Sequence, residues 1–501
     1  MKLLLLLFIS SSILLISCQV ASPPEQPPEP PPVIVSIGDS ITMGIQDAGL
    51  IIDYQLSCYP YLIAKQMGAS NSFRQPYVRF PGIGVYPYER PLSISGNTII
   101  AEEWPGDIDV DTVIDTVISR LMSPFCPTPY NNLGVNGARL YEMRWTTTAT
   151  DSVTEDNYFF DIVLRNISPS PPLLPDFGNT TVVEQAAMLQ PDIILLWIGN
   201  NDILHTVLDG CGVDGSGFDI DPPTSEVAFQ SEYTNLLNDL KTVTDDIVMA
   251  SIPSYLPYGY ALDGIFVSGS LSVFDPQTFD PILFYCGETY GNLYVPLLLE
   301  EADAKHLTLN GAIAYLEEKK GIPDQTDLAE MVSDSEKAAA MVNAMTDAGI
   351  IAPDPSAPLE GNFTITQAEE DVAMAIVEGY NLILSSLSGS LEVPLVDITK
   401  SWWREYDLGP EEAPAFGGYS GAFVLQDRDN TIFSLDGVHL NNLGHALCAN
   451  AFIEVLNVNY GLGIQPLNPD DYKGQYSGTE LESASIKALK SVYDAYVLPR
   501  R

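Results

Sequence analysis

The sequence has few basic residues. Its 501 residues include 22 lysines and arginines against 66 aspartates and glutamates, which gives a formal net charge of −44. Charged residues make up 18% of the chain, below the roughly 25% usual in globular proteins, so the imbalance arises from missing Lys and Arg rather than from an excess of acids. Such a charge repels phosphate backbones and anionic lipid headgroups. We therefore expect no nucleic-acid partner.

Cysteine and histidine are also scarce, and their spacing does not suggest a metal site. The six cysteines form no Cys-x-x-Cys pair and no cluster with the four histidines, which are the patterns typical of zinc sites. Five cysteines follow Cys18, so at least one of them stays unpaired, and their connectivity is open. The sequence implies neither a metal nor another cofactor. Apolar residues make up 46% of the chain, enough for a large core without either.

Long apolar runs are limited to the N-terminus. Residues 3–16 form a run of about 14 apolar residues, too short for a membrane span and typical of a signal peptide. The run ends in Leu-Ile-Ser-Cys at residues 15–18, which resembles the bacterial lipobox. This resemblance implies a lipoprotein signal peptide over residues 1–17, cleavage before Cys18 and lipidation of its sulfur. An ordinary secretory signal with an incidental cysteine is the alternative.

A proline-rich segment follows the predicted lipidation site. Residues 22–32 favour extended polyproline II structure, which at about 3.1 Å per residue would hold a domain roughly 30–40 Å from its anchor. We interpret residues 18–32 as a tether, and a proline-rich ligand for a partner domain as the alternative. These features predict a lipid-anchored protein of the bacterial cell envelope. Gln19 is not the acidic residue that signals inner-membrane retention, which favours the outer membrane.

Short apolar runs alternate with helical patterns in the rest of the chain. The runs are continuously apolar, as expected for parallel strands that are covered on both faces; they lie at residues 33–37, 192–198, 246–252 and 391–398. Helical patterns lie between or after them, at residues 59–67, 181–189, 225–241, 366–387 and 441–456. This alternation predicts an α/β domain with a central parallel sheet over residues 33–460. Large insertions near residues 69–130 and 254–360 and a C-terminal extension over residues 461–501 complete the organisation.

Four short blocks carry residues of catalytic type. Gly-Asp-Ser at residues 38–40 places a serine where a parallel strand ends, the usual position of sites in open α/β sheets, although the tripeptide alone occurs by chance about once in ten chains of this length. Residues 132–139 form a glycine-rich turn whose N–H groups could face a developing negative charge. Gly-Asn-Asn-Asp at residues 199–202 follows the second strand. Residues 434–439 are expected to open the last helix, and Asp436 and His439 within them are three residues apart and can hydrogen-bond each other.

The histidines single out one candidate base. A base that works near pH 7 is most often His, and the chain has His205, His306, His439 and His445. Only His439 has an aspartate three residues earlier beside a glycine. His445 follows His439 by six residues, and on one helix the two would face in different directions. Each block also allows a purely structural interpretation. These are a turn serine at 40, a turn glycine at 137, a helix cap at 201 and 202, and a structural pair at 436 and 439.

The four blocks, in this order, resemble the SGNH/GDSL hydrolase family. The resemblance covers residues 33–456 and rests on GDSIT, NLGVNGA, GNND and DGVH. It implies a three-layer α/β/α flavodoxin-like sandwich. Residue 41 is Ile where the family name expects Leu, and nearly one hundred residues separate the first two blocks. This separation leaves the residues that form the substrate pocket undetermined.

The resemblance also implies a role for each residue of the site. Ser40 is the nucleophile, His439 the general base and Asp436 the residue that orients His439. The oxyanion hole consists of the Ser40 N–H, the Gly137 N–H and the side-chain amide of Asn201. The implied activity is hydrolysis of carboxylic esters through an acyl-enzyme, by an esterase or lipase that needs no metal.

Alternatives remain at the level of substrate and function. A lipid or short acyl ester suits a membrane anchor, and a carbohydrate O-deacetylase fits the same family. A surface lipoprotein that binds a ligand through its insertions without catalysis is the rival from another class. The acidic runs at residues 107–111 and 209–221 could bind calcium, but a solvated surface is the favoured interpretation. For Trp402 and Trp403, packing is favoured over stacking on a ligand. The oligomeric state stays open.

Overall fold

A computed structural model describes residues 30–85, 91, 120–154 except 123 and 125, 157–166, 177–208, 222–253, 365–398, and 432–473 except 435 and 437, together with the backbone of several short strands elsewhere. Several predictions fall outside these residues. They concern the signal peptide and Cys18, most of the tether, most of the insertion near 254–360, the C-terminal extension after residue 473, the acidic run at 107–111, the side chains of the acidic run at 209–221, and Trp402 and Trp403.

Five parallel strands form the central sheet. They are β1 (Ile34–Gly38), β2 (Asn132–Gly134), β3 (Ile193–Trp197), β4 (Ile247–Ala250) and β5 (Leu395–Val396). Their spatial order is β5-β4-β3-β1-β2, which is the 2-1-3-4-5 order of flavodoxin-like sheets. The expected α/β fold with a parallel sheet is therefore confirmed.

The strands are buried on both faces. In β3, Ile193, Leu195 and Trp197 belong to one hydrophobic cluster, while Ile194 and Leu196 belong to another on the opposite face. Successive side chains of a strand point to opposite faces, so two packed faces require an apolar residue at every position. This explains why the runs in the sequence are continuous rather than alternating.

Ten α-helices are described. They are α1 (Ser40–Met43), α2 (Ile52–Gln55), α3 (Tyr59–Gln66), α4 (Glu142–Trp145), α5 (Tyr158–Leu164), α6 (Val182–Leu189), α7 (Asn201–Leu208), α8 (Glu226–Lys241), α9 (Gln367–Leu391) and α10 (Asn442–Tyr460). Short 3₁₀ helices lie at Ala149–Asp151 and Pro469–Tyr472.

Short antiparallel pairings accompany the parallel sheet. Two-stranded pairs join Gly49–Leu50 to Ile83–Gly84, Ser93–Ser95 to Thr98–Ile100, Val213–Asp214 to Gly217–Phe218, Phe266–Val267 to Val273–Phe274, and Leu283–Tyr285 to Tyr294–Pro296. A three-stranded sheet contains Tyr260–Leu262, Ala304–Thr308 and Thr364–Thr366. Most of these pairs lie in the two regions that the sequence marks as insertions.

The long helices begin close to their predicted starts. Thr366 accepts from the backbone N–H of Glu369 while the Glu369 carboxylate accepts from Thr366, which forms a capping box. Ser225 and Asn441 likewise cap α8 and α10 through their side chains. The predicted starts of the long helices therefore agree with the structure to within one residue.

Helices cover both faces of the sheet. On one face, α3 and α10 pack over β3, where the Tyr59 ring lies 4.9 Å from Phe452 and 5.7 Å from Trp197 between centroids. On the other face lie α6, α8 and α9, with the rings of Phe229 and Tyr380 stacked at 4.0 Å. Burying each such side chain contributes about 1.5–3 kcal/mol relative to exposure. The two layers hold the strand ends, and the loops after them, in place.

The structure corrects the sequence-based elements at several points. The glycine-rich turn at 132–139 begins with strand β2, which was not predicted because it has only three residues and two of them are Asn and Gly. The fourth predicted strand, 391–398, is shorter, since Leu391 ends α9 and β5 covers only Leu395–Val396. Helix α5 was not predicted. The block at 434–439 precedes α10 as a loop rather than opening the helix.

Helix α9 has the length and apolar composition of a membrane span, and it is alone in this among the described helices. Its buried residues Ala373, Val377, Tyr380 and Leu384 recur every three or four positions and pack against the sheet. Its first turn carries Glu369 and Glu370. The pattern is that of an amphipathic helix that covers a hydrophobic core.

Candidate active site

The candidate residues follow neighbouring strands at one edge of the sheet. Gly38 of β1 pairs with Trp197 of β3, so the two strands end at the same level. Ser40 begins α1 directly after β1, and Asn201 begins α7 after β3. The strand order reverses at β1, and open α/β sheets bind ligands at such switch points.

Ser40 lies in a short, tightly capped helix. The Asp39 carboxylate accepts from the backbone N–H of Ile41 at 3.0 Å and caps the start of α1. Gly44 ends the helix with φ +92°, a left-handed conformation that favours glycine. Ser40 itself is 6% exposed, and within the described part of the chain neither its N–H nor its hydroxyl has a hydrogen-bond partner. Both groups are thus available to a ligand there.

Gly137 and Asn201 supply further unused donors after the two strands that flank β1. The Gly137 N–H has no acceptor among the described residues, and the residue has φ +71°. The Asn201 amide donates to the Ala138 carbonyl at 3.0 Å, which uses one of its two N–H bonds and ties α7 to the Gly137 loop. The loop and α7 flank β1, so donors from three segments occupy one sheet edge.

Two residues that sequence reasoning did not assign a role hold the Gly137 loop. The Asp202 carboxylate accepts from the Leu140 N–H at 2.8 Å and from the Thr224 hydroxyl at 2.7 Å, so it joins two loops. The Asn157 amide donates to the Asn136 carbonyl at 2.8 Å. Asp202 follows Asn201 in the sequence, but nothing in the sequence marks its partners, which lie in other segments.

Asp436 and His439 form a hydrogen-bonded pair. The Nδ1 atom of His439 lies 2.8 Å from Oδ2 of Asp436. The Oδ1 atom of Asp436 accepts from the backbone N–H groups of Val438 and His439 at 2.9 and 2.8 Å, and from the Ser434 hydroxyl at 3.0 Å. The spacing of three residues lets one carboxylate hold both the backbone and the imidazole of His439. The arrangement fixes the imidazole with Nε2 directed away from the carboxylate.

The electrostatics of the pair keep Asp436 ionised. Burial alone would raise the pKa of Asp436, but the charge and the hydrogen bond of His439 and the backbone N–H groups of His439 and Val438 lower it to about 2. Asp39 behaves in the opposite way. Burial raises the pKa of Asp39 to about 6, although the Asn200 amide at 2.7 Å, the Ile41 N–H and the His439 charge oppose the rise. His439 thus acts electrostatically on the residue next to Ser40.

Within the described structure, no hydrogen bond joins the Ser40 hydroxyl to the His439 imidazole. In unliganded sites this contact is often long and shortens when substrate binds. The structure therefore brings together Asp436 with His439, and Asn201 with the Gly137 loop, while Ser40 follows the strand that lies between those of Asn201 and the Gly137 loop.

The other histidines have different surroundings. His445 is fully buried in α10 and its Nδ1 atom accepts from the Tyr59 N–H at 3.3 Å. Burial, together with the charge of His439, lowers the pKa of His445 to about 3. His205 is half-buried, with Nε2 3.4 Å from the Gly137 carbonyl. For His306 only the backbone, in the strand Ala304–Thr308, is described. The sequence argument from helix geometry does not apply, since His439 precedes α10.

No group of three or more His, Cys, Asp or Glu side chains among the described residues is arranged to hold a metal ion. Cys58, Cys126 and Cys448 are free thiols, and burial raises the pKa of Cys58 to about 12 and that of Cys448 above its usual range. Neither buried thiol is therefore a nucleophile at neutral pH.

Comparison of the chain with protein-family models, with curated proteins and with solved structures finds no match. The interpretation of the site rests on the residues and on their geometry.

Proposed function

We propose that the chain is an extracytoplasmic serine ester hydrolase of the SGNH/GDSL type, built on the three-layer α/β/α sandwich of that family. The observation that carries the proposal is the Asp436–His439 hydrogen bond of 2.8 Å, in a loop that is bonded to Asp47 and Ala48, a few residues after the helix of Ser40. A serine at a strand end, a histidine held by an ionised carboxylate and unused N–H donors are the parts that acyl transfer requires.

The proposed reaction has two halves. The Ser40 hydroxyl attacks the ester carbonyl while Nε2 of His439 takes its proton, because an unassisted hydroxyl is a poor nucleophile. The protonated imidazole then gives that proton to the leaving alkoxide, and an acyl-enzyme remains. Water, deprotonated by His439, attacks the acyl-enzyme, and the proton returns to Ser40 as the acid leaves.

The N–H groups of Ser40 and Gly137 and the second N–H of Asn201 stabilise the oxyanion of each tetrahedral intermediate. Such donors favour the transition state over the substrate, since the negative charge on oxygen develops only there. The hydrogen bond from Asn201 to Ala138 supports this assignment because it holds the amide plane against the Gly137 loop.

Asp436 orients His439 and stabilises the imidazolium that forms during the reaction. Its pKa of about 2 supports this role, since a carboxylate so weakly basic stays ionised and does not remove the proton from the imidazolium.

The substrate in this proposal is a carboxylic ester. A lipid or short acyl ester suits the proposed anchor, and an acetylated glycan is the alternative within the family. The net charge of −44 disfavours a strongly anionic polymer because like charges repel.

The proposal includes a membrane anchor at Cys18. The apolar run at residues 3–16 and the Leu-Ile-Ser-Cys sequence support it. Replacement C18A is expected to move the protein from the membrane fraction to the soluble fraction of the cell envelope, and retention in the membrane fraction would contradict the anchor.

The test uses full-length protein in detergent with p-nitrophenyl esters from C2 to C16 and a fluorophosphonate probe. We expect hydrolysis and labelling for the wild type and for S36A, and neither for S40A. Ser36 is the matched control because it lies buried on β1, where its hydroxyl has no partner among the described residues. A preference for C2 would indicate a deacetylase, and one for C8 or longer a lipase. If neither hydrolysis nor labelling occurs at low or high salt, the hydrolase proposal fails and a non-catalytic binding lipoprotein replaces it.

A further inference from the structure

A turn just after Ser40 is bonded to the loop that carries Asp436 and His439. Three consecutive residues of the turn each make one hydrogen bond to this loop or to the start of α10. The bonds are Gln46 Nε2 to Asn442 Oδ1 at 3.0 Å, the Asp47 N–H to Ser434 Oγ at 2.9 Å, and the Ala48 N–H to Asp436 Oδ2 at 2.6 Å. We call residues 46–49 the clamp turn.

The clamp turn has an unusual backbone. Gln46 and Gly49 exchange two backbone hydrogen bonds of 3.0 and 2.9 Å, which closes a two-residue hairpin turn. The central residues Asp47 and Ala48 have φ of 53° and 52°. This left-handed conformation suits a two-residue hairpin but is unfavourable for alanine, which has a Cβ atom. The turn therefore persists because the surrounding contacts hold it.

Tyr54 supplies one of these contacts from α2. Its hydroxyl donates to Oδ2 of Asp47 at 2.5 Å, and both side chains are buried. The carboxylate of Asp47 is thereby anchored to α2. Tyr54 and Ser434 thus hold the same residue of the clamp turn, one through its side chain and one through its N–H.

The clamp turn restricts both oxygens of the Asp436 carboxylate. The Ala48 N–H shares Oδ2 with Nδ1 of His439. Ser434 accepts from the Asp47 N–H and donates to Oδ1 of Asp436, so its hydroxyl connects the clamp turn to the other oxygen of the carboxylate. With the two backbone N–H groups on Oδ1, the carboxylate accepts five hydrogen bonds. It cannot rotate without breaking several of them.

We propose that the clamp turn and Ser434 are positioning elements that orient the Asp436 carboxylate toward His439. This inference rests on the proposed function, in which Asp436 serves His439. The donors act in two ways: they fix the carboxylate plane, and they draw its negative charge away from the imidazole. Because the turn lies a few residues after Ser40, the same segment determines the position of Ser40 and the orientation of the Asp436 carboxylate.

The first test is S434A compared with T244V. The Thr244 hydroxyl also accepts a backbone N–H and donates to a carbonyl, but it lies at the opposite edge of the sheet, beside the starts of β3 and β4. For S434A we expect kcat to fall about 10- to 100-fold with KM nearly unchanged. We also expect the acid limb of the kcat/KM profile to move to higher pH, because a less solvated carboxylate favours the protonated imidazole. T244V should match the wild type in both.

A second variant keeps the test decisive if S434A misfolds. Y54F removes only the hydroxyl that anchors Asp47, and it should move the acid limb in the same direction by a smaller amount. If both variants keep the wild-type acid limb and kcat, the positioning role is overturned.

An activity-free readout separates this inference from the proposed function. The proton between His439 Nδ1 and Asp436 Oδ2 should give a low-field ¹H NMR resonance that H439Q abolishes. We expect this resonance to shift or broaden in S434A and to stay unchanged in T244V. A wild type that lacks hydrolysis and labelling but shows this pattern would contradict the hydrolase and retain the positioning role. A resonance identical in S434A and the wild type would overturn the positioning role alone.

Discussion

The side-chain amide of Asn201 donates a hydrogen bond of 3.0 Å to the carbonyl oxygen of Ala138. The contact joins the first residue of α7 to the loop that contains Gly137. It fixes the plane of the amide, and so the direction of its second N–H. In the proposed mechanism that N–H and the Gly137 N–H act on the same oxyanion, so one hydrogen bond sets the relative position of two donors.

Replacement of Asn201 tests this relationship. In N201A we expect kcat to fall about 10²- to 10³-fold with little change in KM, because the lost donor acts mainly in the transition state. N457A is the control, since the Asn457 amide also donates to a loop carbonyl, that of Ile464 at 2.8 Å, near the far end of α10. Steady-state kinetics on a p-nitrophenyl ester measures the effect. Equal kcat values for the two variants would remove Asn201 from the oxyanion hole.

The Asp436–His439 pair provides the second prediction. In D436N we expect kcat to fall by about 10⁴, as an amide cannot hold the imidazole in the required tautomer. The loop should keep its fold because the Asn oxygen still accepts from the backbone N–H groups of Val438 and His439, although the NH2 group cannot accept from the Ala48 N–H. D470N is a suitable control, since Asp470 is exposed and its carboxylate pairs with Lys473, three residues later, at 2.9 Å. Activity within a few-fold of the wild type in D436N would contradict the triad.

Asp202 makes the stability of the protein depend on pH. Burial raises its pKa to about 6, so the folded state binds this proton more tightly than the unfolded chain does. The stability that the proton provides is complete below about pH 4 and is lost as the pH rises through about 6. A shift of about two units corresponds to at most about 3 kcal/mol.

The variant D202N isolates this contribution. The oxygen of Asn still accepts from the Leu140 N–H. Its NH2 group can donate to the Thr224 hydroxyl, which then acts as the acceptor. Between pH 4 and pH 8, the midpoint temperature of thermal unfolding should therefore fall less steeply with pH in D202N than in the wild type. D470N should resemble the wild type. Parallel curves for all three proteins would show that Asp202 titrates normally.

Gly134 provides a test of the packing beneath Ser40. A Cβ atom there would lie 2.4 Å from the backbone nitrogen of Met43 and 2.8 Å from the carbonyl carbon of Thr42, both in α1. G134A should therefore displace α1, lower the unfolding free energy by about 1–3 kcal/mol or more, and reduce activity. G389A is the control, because nothing lies within 4 Å of a Cβ there and Gly389 is in α9.

Urea unfolding measures both glycine variants. G389A should be more stable than the wild type by roughly 0.5–1 kcal/mol, since Ala has the higher helix propensity. If G134A is as stable and as active as the wild type, β2 does not support α1 as closely as described.

Much of the fold was predictable because it depends on local patterns. Continuous apolar runs identify β1, β3 and β4, whose side chains are buried on both faces. The pairs Thr366–Glu369 and Asn441–Gly444 mark helix starts through bonds that span three residues.

The missed elements lack such patterns. Strand β2 has three residues and depends on its pairing with β1 rather than on its own propensity. The extent of β5 was overestimated because the apolar residues at the end of α9 continue toward the strand. Helix α5 has seven residues, six of them buried, so it lacks the alternation of apolar and polar faces that marks an amphipathic helix.

The sequence by itself determined the features that lie within a few residues of one another. The Asp436–His439 bond is of this kind, since a spacing of three residues in a loop brings the two side chains together. The order of the strands, the hydrogen bond from Ala48 to Asp436 across 388 residues, and that from Leu140 to Asp202 were decided only by the tertiary structure. Local contacts depend on backbone geometry and spacing, whereas contacts between distant segments depend on which faces pack once the whole chain has closed its loops.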